Sequence, residues 1–405
     1  MLRSLLGYCR DWLVLTLPIR RLPTWIVKGL YGSNFKFAFL VHPRSYQDVF
    51  ISMPVFKILK FFIPRKKAYR FFSKTSPFVL NTITTSQNTN GYVIAQLTVP
   101  EIMFEQRRET LKKLEKMLRL VSKICEPDAV VGLGGWFPMV TKRGALLKES
   151  SAKLNITVTN GHCGTLASIY MTIERIARVC AQRVDTLTIA IIGVGKMGSN
   201  VARAFNGSAQ RLILIDINLS HLNRVKKELM EAQTSRQIDC VVSDVVDKTA
   251  LRDALRKCHV GVCATSSFRN ILKLKDLPKN FVGIDDSRPE ALPRDLKKGR
   301  IILEGGLLRI ADAHINYNYG FGEDDNVFGC LGEAFLLALD EKKSLAPTLG
   351  DVDMKNFFKT LHFCKKNGVS EGDFKTSHVD ISEDDIKQAV DNQDQFRRRN
   401  ESTLS

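Results

Sequence analysis

Acid is nearly absent from the first fifth of this chain. Residues 1–80 hold 14 Lys/Arg but only two carboxylates, Asp11 and Asp48, so this stretch alone carries +12 (14 − 2). The full 405 residues carry 60 Lys+Arg against 42 Asp+Glu, a formal +18. Paired cysteines are absent too. Nine cysteines, an odd number, are scattered from Cys9 to Cys364 with no C-x-x-C among them. That spacing argues against a zinc site and a disulfide framework, and leaves a reducing, cytoplasmic setting as the expectation. Long apolar runs are also missing. A membrane-spanning helix needs ~18–20 apolar residues, whereas the longest run near the start, Trp12–Ile19, has eight and continues into Arg20-Arg21. The absence of a small-residue cleavage pattern argues against a secretory leader.

What is present describes a globular protein. Hydrophobic residues make up 44% and charged residues 25% of the chain, a balance that excludes collagen, coiled coil and wholesale disorder. A chain of 405 residues exceeds one ordinary domain of ~100–200 residues, so two or three packed units are expected.

The basic surplus points to nucleic acid, an anionic membrane surface or an acidic protein, and its neighbours decide among them. Residues 1–34 mix Leu, Ile, Trp and Tyr with Arg and Lys, and Pro18 and Pro23 forbid one long helix. They read either as short amphipathic pieces lying on a bilayer, with Trp12, Trp25 and Tyr31 as anchors, or as a helix docked on the parent domain. Residues 50–79 hold seven Phe and seven Lys/Arg and no acid. Their aromatics come as adjacent pairs, Phe61-Phe62 and Phe71-Phe72, inside apolar sequence. That pattern suits an acyl- or lipid-facing surface better than a base-stacking platform; core packing with snorkelling lysines is the alternative. The partners expected are therefore an anionic membrane surface and an acidic carrier, not nucleic acid.

From residue 91 the chain alternates strands and helices. Tyr92–Leu97 reads as a strand, Pro100–Cys125 as one helix, and Ala129–Leu133 as a buried strand. Ile156–Val158 reads as a strand leading through Thr159-Asn160-Gly161 into a helix reaching Gln182. Residues 187–306 give strands at Leu187–Ile192, Leu212–Ile217, Cys240–Val242, Val260–Ala264, Phe281–Ile284 and Ile301–Leu303. Helices near 198–206, 219–233 and 247–257 separate the first four. This is the signature of an α/β, doubly wound parallel Rossmann sheet. The expected division is a basic extension over 1–34, an N-terminal α/β substrate domain over 35–184 and a dinucleotide-binding domain over 185–310. A C-terminal helical segment over 311–380 and a polar tail over 381–405, whose end QFRRRNESTLS is expected to fray, complete it.

The strongest motif is Gly193-Val194-Gly195-Lys196-Met197-Gly198, which leaves an apolar strand and opens a helix. Gly193 permits the tight turn, Gly195 admits a pyrophosphate to the backbone, and Gly198 lets helix and strand approach. The helix start offers N–H donors to the phosphates. Asp216 ends the next strand, followed by Ile217 and Asn218. A carboxylate there accepts from ribose hydroxyls and repels an extra phosphate, which favours NAD(H) over NADP(H). A Rossmann domain holding no cofactor is the alternative.

Cys330 has the most suggestive setting among the cysteines. It opens a helical run between Gly329 and Gly332, where Asp325 or Asn326 is placed to cap and the helix start stabilises a thiolate. By spacing alone a buried, inert thiol is the blander reading.

Six segments resemble one family in order: GYVIAQLTVPEIMFEQRRETLKK, VVGLGGWFPMV, VTNGHCGT, IAIIGVGKMGSNVARAF, ILEGGLLR and FGCLGEAFLL. Together they look like the long-chain acyl–acyl-carrier-protein reductases, fatty-aldehyde-forming enzymes with shikimate-dehydrogenase-like relatives. The resemblance spans roughly 36–345. It implies that Cys330 is the nucleophile taking the acyl chain and that the glycine-rich turn binds NADPH. It implies reduction of a long-chain acyl thioester, on carrier protein or CoA, to an aldehyde. His162 becomes a candidate general acid/base, and Glu333, three residues after Cys330, a candidate to orient a neighbour or cap the helix. Three departures stand out. Asp216-Ile217-Asn218 replaces a basic residue that would hold the NADP phosphate, His162 replaces an asparagine, and Asp285-Asp286-Ser287-Arg288-Pro289 replaces a glycine-rich stretch. Residues 1–34 have no counterpart. The alternatives are a dehydrogenase of a small polar acid with Cys330 as packing, and a non-catalytic, NAD-binding, membrane-associated module.

Overall fold

A computed structural model describes residues 23–31, 35–45, 49, 61–62, 64, 67, 73–232, 237–243, 246–265, 272–287, 290–293, 299–315, 325–376 and 379–402. The described residues group into two units. The first holds the chain up to Gly161 together with 311–315 and Cys330–Asp351; the second holds His162–Ile310, 325–329 and 352–402. The chain thus passes between units at Gly161/His162, ahead of the 184/185 boundary expected from sequence, and the 311–380 stretch is shared between them.

The first unit is built on a six-stranded mixed sheet. Its strands are β1 (Phe35–Val41), β2 (Phe78–Thr84), β3 (Asn90–Ala95), β4 (Val130–Leu133), β5 (Thr157–Thr159) and β13 (His314–Ile315). Their order across the sheet is β13–β2–β3–β1–β4–β5. β3, β1, β4 and β5 run parallel, while β2 and β13 pair antiparallel at one edge. Parallel strands covered on both faces are apolar throughout, and β4 is buried at every position.

Helices α1 (Thr24–Tyr31), α2 (Pro100–Glu105), α3 (Arg107–Ile124), α4 (Phe137–Val140) and α5 (Lys148–Lys153) accompany this sheet. The single helix expected over 100–125 is two. Gln106 leaves helical geometry at φ −115°, ψ 48°, and Thr110 Oγ1 donates to Met103 O and Gln106 O across the break. In α3, Leu114, Met117, Leu118, Val121 and Ile124 are buried at helical spacing. Each large side chain taken from water contributes about 1.5–3 kcal/mol.

The second unit carries a six-stranded, fully parallel sheet. Its strands are β6 (Thr188–Ile192), β7 (Arg211–Asp216), β8 (Gln237–Val242), β9 (Val260–Cys263), β10 (Val282–Asp285) and β11 (Ile301–Glu304). They lie in the order β8–β7–β6–β9–β10–β11. Numbered within the sheet this is the 3-2-1-4-5-6 order of the doubly wound Rossmann fold, with its direction reversing between β6 and β9. The fold expected from sequence is the one observed, with strand ends shifted by one to three residues.

Three helices, α7 (Lys196–Phe205), α8 (Leu219–Glu231) and α9 (Thr249–Lys257), connect successive strands. Helix α6 (His162–Val179) packs on α7, on α11 (Met354–Lys366) and on α12 (Glu383–Ser402). At its centre Tyr170 stacks on Phe205 with ring centroids 4.7 Å apart, and meets Phe357 edge-on at 5.7 Å.

The stretch expected as a polar tail is largely helix α12. Ile386, Ala389 and Val390 are buried, and Arg175 and Gln182 bond Glu383 and Asp394 at 2.9 and 2.8 Å. A small antiparallel sheet of β14 (Asn326–Phe328), β12 (Leu307–Ile310) and β15 (Val369–Glu371) precedes α10 (Gly329–Leu339). β16 (Lys375–Thr376) and β17 (Val379–Asp380) form a hairpin. No helix among the described residues is long and apolar enough to cross a membrane.

Candidate functional site

The glycine turn, Asp216 and His162 follow the carboxyl ends of parallel strands, where open α/β sheets bind ligands, while Cys330 and Glu333 follow the antiparallel β14. In the second unit the strand β6 runs into the glycine turn. Gly193 has φ +83° and its N–H donates to Ile215 O at 2.8 Å, so the turn folds back on β7. A methyl on Gly193 would lie 2.5 Å from Thr265 Cγ2, and one on Gly198 would overlap Gly193 O. A methyl on Gly195 meets nothing within 4 Å. The turn is therefore closed by protein at its two flanking glycines and open at the middle one, which leaves the backbone there accessible to a bulky anionic ligand. Lys196 is exposed and Met197 partly buried in the first turn of α7. The N–H groups of that turn supply donors and a favourable dipole for phosphate.

Asp216 ends β7 and fixes this turn. Its Oδ2 accepts from Val194 N at 2.8 Å and its Oδ1 from Asn218 N at 3.1 Å. Each oxygen retains a lone pair for a further donor. Asn218 caps α8 by accepting from His221 N at 3.0 Å, and Ile217 between them is 66% exposed. The switch between β6 and β9 is lined by Thr265, whose N–H donates to Ser287 Oγ at 3.1 Å. Asp285 and Ser287 set the loop after β10: the buried Asp285 carboxylate accepts from Ser287, Ala291 and Leu292 N–H groups at 3.0 Å each. Arg288 and Pro289 lie outside the described residues.

In the first unit Cys330 stands in the first turn of α10. It is only partly buried, whereas Cys125, Cys163, Cys180, Cys258, Cys263 and Cys364 are buried. Burial pushes the Cys125 and Cys364 thiols up to about 12 and Cys180 up to about 11. Those thiols are inert at neutral pH. The caps expected from Asp325 and Asn326 do not form. Asp325 pairs with Arg309 at 2.6 Å, and Asn326 exchanges hydrogen bonds with Asp373 at 2.8 and 2.9 Å, because both belong to the β14 sheet edge. Neither residue therefore caps α10 with its side chain; the Gly329 N–H that opens the helix donates to Gly306 O at 2.5 Å, because first-turn N–H groups have no acceptor within their own helix.

The backbone of Gly161 closes on Cys330. Gly161 has φ +75°, and a methyl there would overlap Cys330 Cβ. The residues just before it form a buried polar knot. Thr159 Oγ1 donates a short hydrogen bond to Glu333, which is 2% exposed, and Thr348 N–H donates to Glu333 Oε1 at 3.1 Å. Asn160 is fully buried; its Nδ2 donates to Arg143 O at 3.2 Å and Gly350 O at 3.0 Å. Arg143 in turn pairs with Asp351 at 2.9 Å. Lys142, Arg143 and Gly144 all have positive φ, so Asn160 braces a strained turn after α4. His162 opens α6 in the second unit and is partly exposed.

Of the residues singled out from sequence, Gly193, Gly195, Lys196, Met197, Gly198, Asp216, Ile217 and Asn218 gather at one turn. Cys330 and Glu333 share one helix. Thr159, Asn160, Thr265, Ser287 and Thr348 were missed. The signal available for the first two was a polar pair directly before a glycine at the end of a buried strand.

A model of the TrkA-N domain family matches residues 189–283. No curated protein matches the chain. Among solved structures, L-tryptophan dehydrogenase from Nostoc punctiforme is 13% identical with TM-score 0.35, covering 91% of this chain and 90% of that one. Shikimate 5-dehydrogenase from Listeria monocytogenes, in complex with shikimate and NAD, is 11% identical with TM-score 0.31, covering 88% and 96%. A dipicolinate synthase from Bacillus halodurans is 17% identical with TM-score 0.25, and the match covers 43% of this chain and 56% of that one. The chain thus spans little more than half the length of that protein.

Proposed function

We propose that this protein is an NAD(P)H-dependent oxidoreductase that reduces a long-chain acyl thioester to a fatty aldehyde through an acyl-enzyme on Cys330. The observation that carries the reading is the contrast among thiols. Cys330 is partly exposed at a helix start, while the other described thiols, Cys240 excepted, are sealed in cores.

The nucleotide would be held by the Gly193–Gly198 turn with Lys196 and Met197, and by Asp216, Ile217 and Asn218. The residues fit it: Gly195 is open where a pyrophosphate approaches, and Asp216 keeps free lone pairs. Asp216 favours NAD(H). When bound, the reduced nicotinamide supplies a hydride.

The Cys330 thiolate attacks the thioester carbonyl, a carbon–sulfur bond to Cys330 forms, and the carrier thiol leaves with a proton. N–H groups of the first turn of α10 beyond Gly329, whose own N–H donates to Gly306 O, stabilise the oxyanion. With a hydride supplied to the acyl carbon by bound reduced nicotinamide, the carbon–sulfur bond would break, the Cys330 thiolate would leave and the aldehyde would be released. His162 is assigned the proton transfers. The acyl donor is carried by an acidic carrier protein or by CoA. Trp25, Phe61 and Phe62 are 75%, 77% and 79% accessible, and with the Lys/Arg surplus of residues 1–80 they support a role in meeting an anionic membrane.

The test follows nucleotide oxidation at 340 nm with long-chain acyl thioesters, and product by mass spectrometry. Aldehyde formation supports the reading. Oxidation of a small hydroxy acid with NAD, and no turnover of any thioester, overturns it.

A further inference from the structure

We infer that Glu333 is a positioning residue, and that it acts through Thr159 to set the Gly161 backbone against Cys330 rather than by moving a proton. The inference rests on the reading of Cys330 as nucleophile. It begins from the helix itself: Cys330 and Glu333 are three residues apart, so they lie on one face of α10. Gly161 covers that face at Cys330 and Thr159 covers it at Glu333.

The two contacts belong to one rigid piece. Gly161 N–H bonds Thr159 Oγ1 at 3.3 Å, Thr348 N–H is shared between Thr159 Oγ1 and Glu333 Oε1 at 3.1 Å each, and Asn160 N–H donates to Thr348 O at 2.9 Å. The same Glu333 oxygen receives both Thr159 and Thr348. Thr159 and Thr348 both donate to Oε1, and those two contacts do not themselves need a charge. Glutamine presents the same acceptor oxygen at the same reach. Gly132 adds a further close approach, since a methyl there would lie 2.9 Å from Ala334 Cβ and 3.2 Å from Cys330 O. The first turn of α10 is therefore held by backbone on two sides and by one carboxylate tie. Losing the tie leaves the buried Thr159 hydroxyl only its longer approach to Thr348 O at 3.3 Å and Thr348 N–H only its bond to Thr159 Oγ1, and lets the Gly161 turn relax away from the sulfur.

The experiment measures the rate at which Cys330 is alkylated by iodoacetamide, with peptide mapping, across pH 6–10, and in parallel the rate of acyl-adduct formation with palmitoyl-CoA. Four full-length variants are compared: Glu333→Gln, Glu333→Ala, Thr159→Ser and Thr159→Val. Glutamine and serine keep the acceptor and the hydroxyl and are expected to stay within about threefold of the parent in both rates. Alanine and valine are expected to lose about 30- to 100-fold in acylation, as a misplacement near 1 Å does, and to shift the pH profile of alkylation.

If Glu333→Gln falls as far as Glu333→Ala, the carboxylate acts by its charge or proton and the inference is wrong. If Glu333→Ala and Thr159→Val leave both rates unchanged, the tie sets nothing at Cys330. Should Glu333→Ala fail to fold, Thr159→Val against Thr159→Ser carries the test alone. Should the parent itself form no acyl adduct, the proposed function fails, while the alkylation profiles still decide the role of Glu333.

Discussion

The chain makes two strand-to-helix turns that start alike and finish differently. Gly193, after β6, and Gly161, after β5, both take positive φ, at +83° and +75°. Beyond Gly193 the turn stays open, because Gly195 has no atom within 4 Å of where a side chain would begin. Beyond β5 it is shut, because Cys330 occupies that space at Gly161. At the Gly195 position the space is left for a ligand, whereas at Gly161 it is taken by Cys330. Under the proposed function the first turn is the nucleotide site and the second the mount for the nucleophile.

Removing what each turn serves gives the largest effect. Cys330→Ala is expected to lower thioester turnover by at least about 10³-fold, as deletion of a nucleophile does, while nucleotide affinity by calorimetry stays unchanged. Filling the turns separates them next. Gly161→Ala puts a methyl into Cys330 at positive φ and should cost on the order of 3 kcal/mol in chemical denaturation. Gly195→Ala meets no protein atom, so it should leave stability within ~0.5 kcal/mol and weaken nucleotide binding. Equal destabilisation by both substitutions would break the comparison.

The buried thiols predict a smaller, pH-dependent effect. Cys125 and Cys364 are raised from an ordinary 9.0 to about 12 by burial, so the folded state holds protons that the unfolded state releases. Their contribution is fully present below about pH 9 and is lost as pH climbs toward 12. Denaturation midpoints should fall across that window, and a flat profile would contradict it. Smallest of all, deletion of residues 1–34 should weaken binding to anionic liposomes and spare nucleotide binding, as read by co-sedimentation and calorimetry.

The nucleotide turn was legible in sequence because everything that builds it is local. An apolar strand, three spaced glycines and a carboxylate at the next strand end fall within 29 residues, from Thr188 to Asp216. The setting of Cys330 was not, because Glu333 meets Thr159 174 residues earlier in the chain and no periodicity records that. The strands β1 and β2 were missed for a different reason: Phe35–Val41 and Phe78–Thr84 flank the basic, aromatic stretch that dominates their composition. The helix α12 was misread as a tail because its apolar residues are few, and the ion pair and hydrogen bond from Arg175 and Gln182 that hold it come from the distant α6 and the turn beyond it.

The measurement that tests the central claim most directly is intact mass after incubation with a panel of acyl thioesters in the absence of nucleotide. One acyl mass on the parent, mapped to Cys330 and missing from Cys330→Ala, is the result expected. No adduct with any chain length, or an adduct that persists in Cys330→Ala, would contradict it.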